Sequence, residues 1–254
     1  MDTFFFLRMT YALVILLCGL VGCIADELLT SYNLTYFPVM AKGLAPSLVL
    51  EVSGLPWDGI HPEDWQAMKP TTVFGQLPQL TTTDGIVMAQ MAAIVNLVSR
   101  RMPVLQGIDD EEFSVSQELL VFADDDLYRG MQRHQDTINK KDKVPVAEMN
   151  EWWSVVVPGH MARLEKLMMQ NDDRFTSSGF TAGELVLFAN LHQMKLVRPG
   201  FMRATPGVSA FYARVAADDR VARVLNNGGG FSEPLQQYFV TGREAPQITL
   251  ADEL

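Results

Sequence analysis

Cysteine is almost missing from this chain: among 254 residues only Cys18 and Cys23 carry a thiol, and both lie near the N-terminus. Removal of that segment would leave no disulfide, no thiolate nucleophile and no cysteine metal site. Basic charge is scarce as well. Twenty Lys and Arg stand against 30 Asp and Glu, for a net charge of -10, and the longest basic cluster is Lys140, Lys141 and Lys143. Such an acidic surface repels phosphate backbones, so no nucleic-acid partner is expected. His61, His134, His160 and His192 are scattered without metal-ligand spacing, and no metal is expected. Glycine-rich phosphate loops, nucleophile elbows, internal repeats and low-complexity tracts are all lacking.

What remains is the composition of a globular protein, 48% hydrophobic and 20% charged, long enough for two modest domains. Residues 11–24 carry no charge, Arg8 precedes them, and Cys23 and Ala25 put small side chains where a signal peptidase reads. The run is shorter than the roughly 20 residues a membrane span needs. The expectation is a cleaved signal peptide over residues 1–25. An uncleaved anchor extended by Phe4, Phe5 and Phe6 stays open, as does a lipoprotein-like site at Leu20-Val21-Gly22-Cys23. At the other end, Ala251-Asp252-Glu253-Leu254 is similar to the Lys-Asp-Glu-Leu retrieval signal. Together the two ends point to the lumen of the endoplasmic reticulum. Asn33-Leu34-Thr35 is a glycosylation sequon, expected to stay unmodified because it opens a buried strand.

Residues 34–37 read as a first strand ended by Pro38, and residues 45–52 as a helix stopped by Gly54. Residues 57–70 read as irregular. Residues 79–82 and 86–88 form a hairpin around Asp84-Gly85, and residues 89–101 an apolar helix closed by Arg100 and Arg101. After a linker at 102–112 the period is helical: 113–139, 146–170 with a break near Pro158-Gly159, 181–196 and 208–225. Thr181 with Glu184 is a capping box for the third of these. The pattern predicts an α/β plus all-α chain: a thioredoxin-like domain over residues 32–107, then an all-helical bundle over residues 113–245.

Trp65, Lys69 and Gln76-Leu77-Pro78 stand in one stretch, with Tyr36-Phe37-Pro38 upstream and Gln90-Met91-Ala92-Ala93-Ile94 downstream. This order resembles the glutathione-binding segments of sigma-type glutathione transferases, and residues 180–188 resemble the capping segment of their helical domain. The resemblance implies a cis bond before Pro78 and an open Leu77 main chain that pairs with an extended tripeptide. It implies Trp65, Lys69, Gln76, Gln90 and Met91 as further glutathione contacts, the last through its main-chain N–H. Chemically, Lys69 offers a point charge and Trp65 a directed donor, while Gln76 and Gln90 offer neutral hydrogen bonds. The helix beginning near Gln90 presents N–H groups to a carboxylate.

Tyr36 is the implied catalytic residue, its hydroxyl donating to the glutathione thiolate and favouring the anion. Glutathione would be a cosubstrate, the second substrate a small hydrophobic electrophile, and the assembly a homodimer. Three departures count against turnover. Met91 stands where the family has Ser; the segment 40–47 is one residue longer and lacks the arginine that supports the tyrosine, with Lys42 as substitute; and the acidic residue sent across the dimer is not identifiable among Glu118, Asp124, Asp125 and Asp126. A non-catalytic binder of glutathione or hydrophobic ligands, and a lumenal scaffold, are the competing readings. Tandem Trp152-Trp153 is expected at the domain interface or in the electrophile pocket.

Overall fold

The computed structural model describes residues 30–132 and 151–233; the expected signal segment, His134 and the C-terminal tetrapeptide lie outside them. Strand β1 (Tyr32–Thr35) leads into helix α1 (Leu44–Ser53), strand β2 (Trp57–Ile60) and a short helix α2 (Trp65–Met68). Strands β3 (Gln79–Thr82) and β4 (Val87–Ala89) then precede helix α3 (Met91–Arg101). The sheet order is β2-β1-β3-β4. β1 runs parallel to β2 and antiparallel to β3, with Leu34 opposite both Gly59 and Leu80, and β3 runs antiparallel to β4. A parallel β-α-β unit followed by a hairpin and a closing helix is the thioredoxin-like arrangement. Asn33 sits mid-β1 with strands on either side, facing Asp58 and Thr81.

β1 begins and ends two residues earlier than the sequence pattern indicates. Its ladder stops at Thr35, and Tyr36 and Phe37 leave the sheet into a tight turn in which the Val39 N–H donates to the Phe37 carbonyl at 2.7 Å. β2 occupies a stretch that reads as irregular. Trp57-Asp58-Gly59-Ile60 carries a turn-like Asp-Gly pair, and its alternating half-buried and exposed residues mark an edge strand. Gly59 is required there, because a Cβ would strike the main-chain carbonyl of Gly229.

The helical half comprises α4 (Asp110–Phe122), α5 (Val157–Met169), α6 (Ala182–Val197), α7 (Pro206–Ala216) and α8 (Asp219–Leu225). α4 widens into a π-helical turn at Ala123–Tyr128, and a second π turn, Trp152–Val156, leads into α5. Pro158 has no N–H to give to a normal helical ladder, and the wide turn before it lets the helix run on where a break is expected. The predicted helix at 208–225 is divided. Asp218 caps α8 by accepting from the N–H groups of Arg220 and Val221, so the chain stops after Ala216 and restarts.

α6 is the spine. Its capping box is complete: Thr181 accepts from the Glu184 N–H, and the Glu184 carboxylate accepts from the Thr181 N–H. α4 crosses α6 at Gly183, where a Cβ would overlap the Ser116 carbonyl and where the Gly183 N–H donates to the Ser116 hydroxyl at 2.9 Å. All ten residues of α1 are buried, because that helix lies between α3 on one side and α6 and α8 on the other. Glu51 and Val52 of α1 are tied to α8: Arg223 pairs with the Glu51 carboxylate, and Arg220 donates to the Val52 carbonyl at 3.1 Å. Trp152 rests on Gly130 and Trp153 packs edge-on to Phe201 at 6.1 Å, so both rings belong to the helical half.

Candidate functional site

Tyr36 emerges where β1 ends, its N–H still donating to the Ile60 carbonyl of β2 at 3.0 Å. The ring is 8% exposed and packs edge-on to Phe37 at 5.6 Å and against Phe231 at 6.5 Å. Its hydroxyl accepts the Lys42 main-chain N–H at 3.3 Å. Its carbonyl is held by His61 Nδ1 at 2.9 Å. The turn that supplies the Lys42 N–H is itself closed by the Gly43 and Leu44 N–H groups, both donating to the Met40 carbonyl at 2.8 Å.

Lys42 therefore takes up the tyrosine through its backbone, while its ammonium goes elsewhere. Nζ lies 2.6 Å from Asp124 and 4.7 Å above the Tyr128 ring. Both partners come from the π turn at the end of α4. Burial, with the neighbouring Tyr36 and Asp124 adding to it, drives the Tyr128 phenol far above its ordinary range, so it stays protonated. Near Tyr36 there thus gather a second phenol, an ammonium and a carboxylate. Of the acidic candidates in this helix, Asp124 is engaged by Lys42 and Asp125 by Arg129 at 2.9 Å.

The second cluster comes from the segment between β2 and β3. Asp64 caps α2 by accepting from Gln66 and Ala67, which aligns Trp65 for edge-on contact with Phe37 at 5.4 Å. Trp65 is thereby linked to Tyr36 through one intervening ring. Lys69 is exposed, its side chain lying over Gly75, whose φ of 62° is one that favours glycine. Gly75 turns the chain into Gln76 and Leu77, and the Leu77-Pro78 bond is cis. Pro78 is buried and Leu77 half-buried.

Gln90 completes the arrangement from β4. Its Nε2 donates to Gln76 Oε1 at 3.3 Å, which brings together two residues far apart in the chain. Its φ of 74° is uncommon for a non-glycine residue and turns the chain sharply from β4 into α3. No side chain caps α3, so its first N–H groups, beginning with Met91, retain the capacity to bind an anion. Met91 itself is 4% exposed, its thioether buried in the core rather than presented to the site.

The structure thus joins Gln76 with Gln90, and Trp65 with Phe37 and Tyr36, and sets Lys69 beside Gly75. Three contributors escape the sequence pattern: His61 on the Tyr36 carbonyl, Phe231 against its ring, and Tyr128 beneath the Lys42 ammonium. Only Lys42 left a signal, as the nearest cation to a missing arginine. Among the described residues no group of three His, Cys, Asp or Glu side chains gathers as a metal site, and no helix is long and apolar enough to cross a membrane. Among the described residues a concavity of about 300 Å³ lies elsewhere, between Arg100, Gly107 and Phe113 at the linker, and shares none of these residues.

Residues 131–228 match the family model described as glutathione S-transferase, C-terminal domain. Glutathione S-transferase 1 of Ascaris suum is 30% identical over 178 residues, covering 67% of this chain and 84% of that protein. Human glutathione S-transferase P is 25% identical over 207 residues, covering 76% and 91%. Among solved structures, the glutathione S-transferase of Ascaris lumbricoides superposes with a TM-score of 0.66 at 25% identity, over 77% of this chain and 96% of that one. A sigma-class enzyme of Fasciola hepatica has the same TM-score at 22% identity, over 78% and 96%, a likeness of fold alone. A small mixed sheet with a thioredoxin-like order, an all-helical second half and these relatives lead to one conclusion: the chain belongs to the glutathione S-transferase family.

Proposed function

We propose that this protein is a glutathione transferase of sigma-like type that conjugates the thiolate of glutathione to small hydrophobic electrophiles. The observation that carries the reading is the Lys42 N–H donated to the Tyr36 hydroxyl oxygen at 3.3 Å. A phenol that accepts such a bond becomes a better donor of its own proton, and a thiolate beside it is stabilised as the anion. A free thiol with a pKa near 8.5 is largely protonated at neutral pH, so this stabilisation raises the reactive fraction. The bound thiolate attacks the electrophile directly, with no covalent intermediate on the protein.

The tripeptide would pair with the Leu77 main chain, with Gln76 and Gln90 at its γ-glutamyl end and the N-terminus of α3 facing that carboxylate. Lys69 and Trp65 would hold its glycyl carboxylate. The electrophile would lie beside Tyr36, against side chains of the helical half. The 63% exposed Phe74 and 51% exposed Val73 support a homodimer through that loop. The two ends of the sequence support residence in the endoplasmic reticulum lumen.

Replacing Tyr36 by Phe removes the donor and keeps the ring. The expected result is a fall of about 10- to 100-fold in conjugation rate with a general electrophile, with retention on immobilised glutathione preserved. An unchanged rate would end the catalytic reading. The second reading, a non-catalytic binder, draws on one observation: buried Met91 offers no hydroxyl where the resemblance implies one. It would be favoured by retention on glutathione with no measurable turnover.

A further inference from the structure

Gln193 lies in α6, deep in the helical half and 1% exposed, among Ala189, Leu191 and Met194. An amide at such a place is costly to bury, and its Oε1 meets no hydrogen-bond partner. Its Nε2 is committed. It donates to the Ala189 carbonyl one turn earlier at 3.3 Å and to the Ala41 carbonyl at 3.2 Å. The second bond leaves the helix and reaches the turn that follows Tyr36, across 152 positions of sequence.

The Ala41 carbonyl and the Lys42 N–H belong to one peptide unit. That unit is planar, with its two polar ends pointing in opposite directions, so fixing the oxygen aims the hydrogen. Gln193 holds the oxygen, and the hydrogen meets the Tyr36 hydroxyl. The bonds that close the turn run from the Gly43 and Leu44 N–H groups to the Met40 carbonyl, and from the Met40 N–H to the Glu233 carbonyl. They leave the orientation of the Ala41–Lys42 peptide to Gln193. Ala41 has a φ of 27°, a conformation sparsely used by residues with a Cβ, so the turn needs an external hold to keep it.

We propose that Gln193 is a positioning residue for Tyr36: from the helical half it orients the Ala41–Lys42 peptide so that the Lys42 N–H polarises the phenol. This rests on the reading of Tyr36 as the group that stabilises sulfur. It explains why a half-satisfied amide occupies a position where an aliphatic side chain would pack. It also makes the acidity of the tyrosine depend on how the two halves of the molecule are docked.

The test is Gln193→Met, which keeps length and burial and removes the donor. In the protein without glutathione, ultraviolet titration of the Tyr36 phenol, assigned by subtracting Tyr36→Phe, should move up by about one pH unit. With glutathione and a general electrophile, the pH profile of kcat/KM should move the same way, kcat should fall about ten-fold at neutral pH, and the KM for glutathione should stay within about two-fold. A purely structural role would lower stability without moving either titration. A folded Gln193→Met protein with both titrations unchanged overturns the proposal. Should the variant not fold, amide hydrogen exchange on the wild type decides it: the Lys42 N–H must be protected, and exchange at the rate of an open loop refutes the arrangement. Because the phenol titration needs no glutathione, a protein that passes it without conjugating anything sinks the transferase reading and leaves the positioning role standing.

Discussion

The carboxylate of Glu184 is the most demanding group in the helical half, and its removal gives a measurable prediction. Glu184 is fully buried, and one oxygen, Oε2, takes three donors: the Thr176 hydroxyl at 2.6 Å, the Thr181 N–H at 2.9 Å and the Thr181 hydroxyl at 3.0 Å. Glu184→Ala strands these donors away from water. A buried polar group left without a partner costs about 1–3 kcal/mol, so losing three coupled ones amounts to roughly 3–5 kcal/mol, or a fall in Tm on the order of 10 °C for a chain of this size. Glu184→Gln keeps an acceptor and removes the charge. Burial raises the pKa of Glu184 in the folded protein above its unfolded value, so the folded state holds the proton more tightly. Its contribution is then fullest at acidic pH and is lost as pH rises from the unfolded pKa through the folded one. Wild type should lose stability relative to Glu184→Gln across that window, while Glu184→Ala should be the least stable throughout. Urea unfolding between about pH 4 and about pH 8 measures all three. A Glu184→Ala cost below about 1 kcal/mol, or a wild-type-minus-Gln difference flat with pH, would refute the reasoning.

Two further perturbations follow. His192 has its pKa pushed down to about 4 by burial and then by Lys195, and its Nδ1 bonds the Tyr212 hydroxyl at 2.8 Å. The folded state keeps it neutral while the unfolded chain takes a proton below its ordinary value, so stability present above about pH 6.5 is lost as pH falls toward 4, by roughly 2–3 kcal/mol; His192→Gln should flatten that acid limb, and an unchanged pH–stability curve would contradict it. Gly183→Ala drives a methyl group into the Ser116 carbonyl where α4 crosses α6, and thermal melting should show a loss of at least about 2 kcal/mol; a neutral result would mean that the two helices can separate freely.

The parts legible in the sequence are those whose cause is local. The Asp84-Gly85 hairpin and the Thr181–Glu184 capping box depend on residues within four positions of one another, and both stand where the pattern puts them. β2 is different: Trp57-Asp58-Gly59-Ile60 is a strand because β1 lies beside it in parallel, and nothing within the four residues announces that partner. The split between α7 and α8 had a local signal in Asp218, masked by an apolar period that continues across it. The same division runs through the site. Trp65, Lys69, Gln76, Leu77 and Pro78 lie within one stretch and were readable together. The groups that touch Tyr36, namely the Lys42 N–H, His61 and Phe231, come from a turn, the end of an edge strand and the far end of the chain. Chain folding alone unites them.

The complete enclosure of Leu44–Ser53 has a consequence for how the molecule is made. Synthesis delivers the sheet and this helix well before Ala182–Val197 exists, so the outer face that α6 will cover emerges first with only water to meet. Apolar residues that end fully sheltered are to that extent open to water on the nascent chain. The first half of this polypeptide is therefore not a self-sufficient module. It waits, part of its apolar surface uncovered, for the second half to arrive.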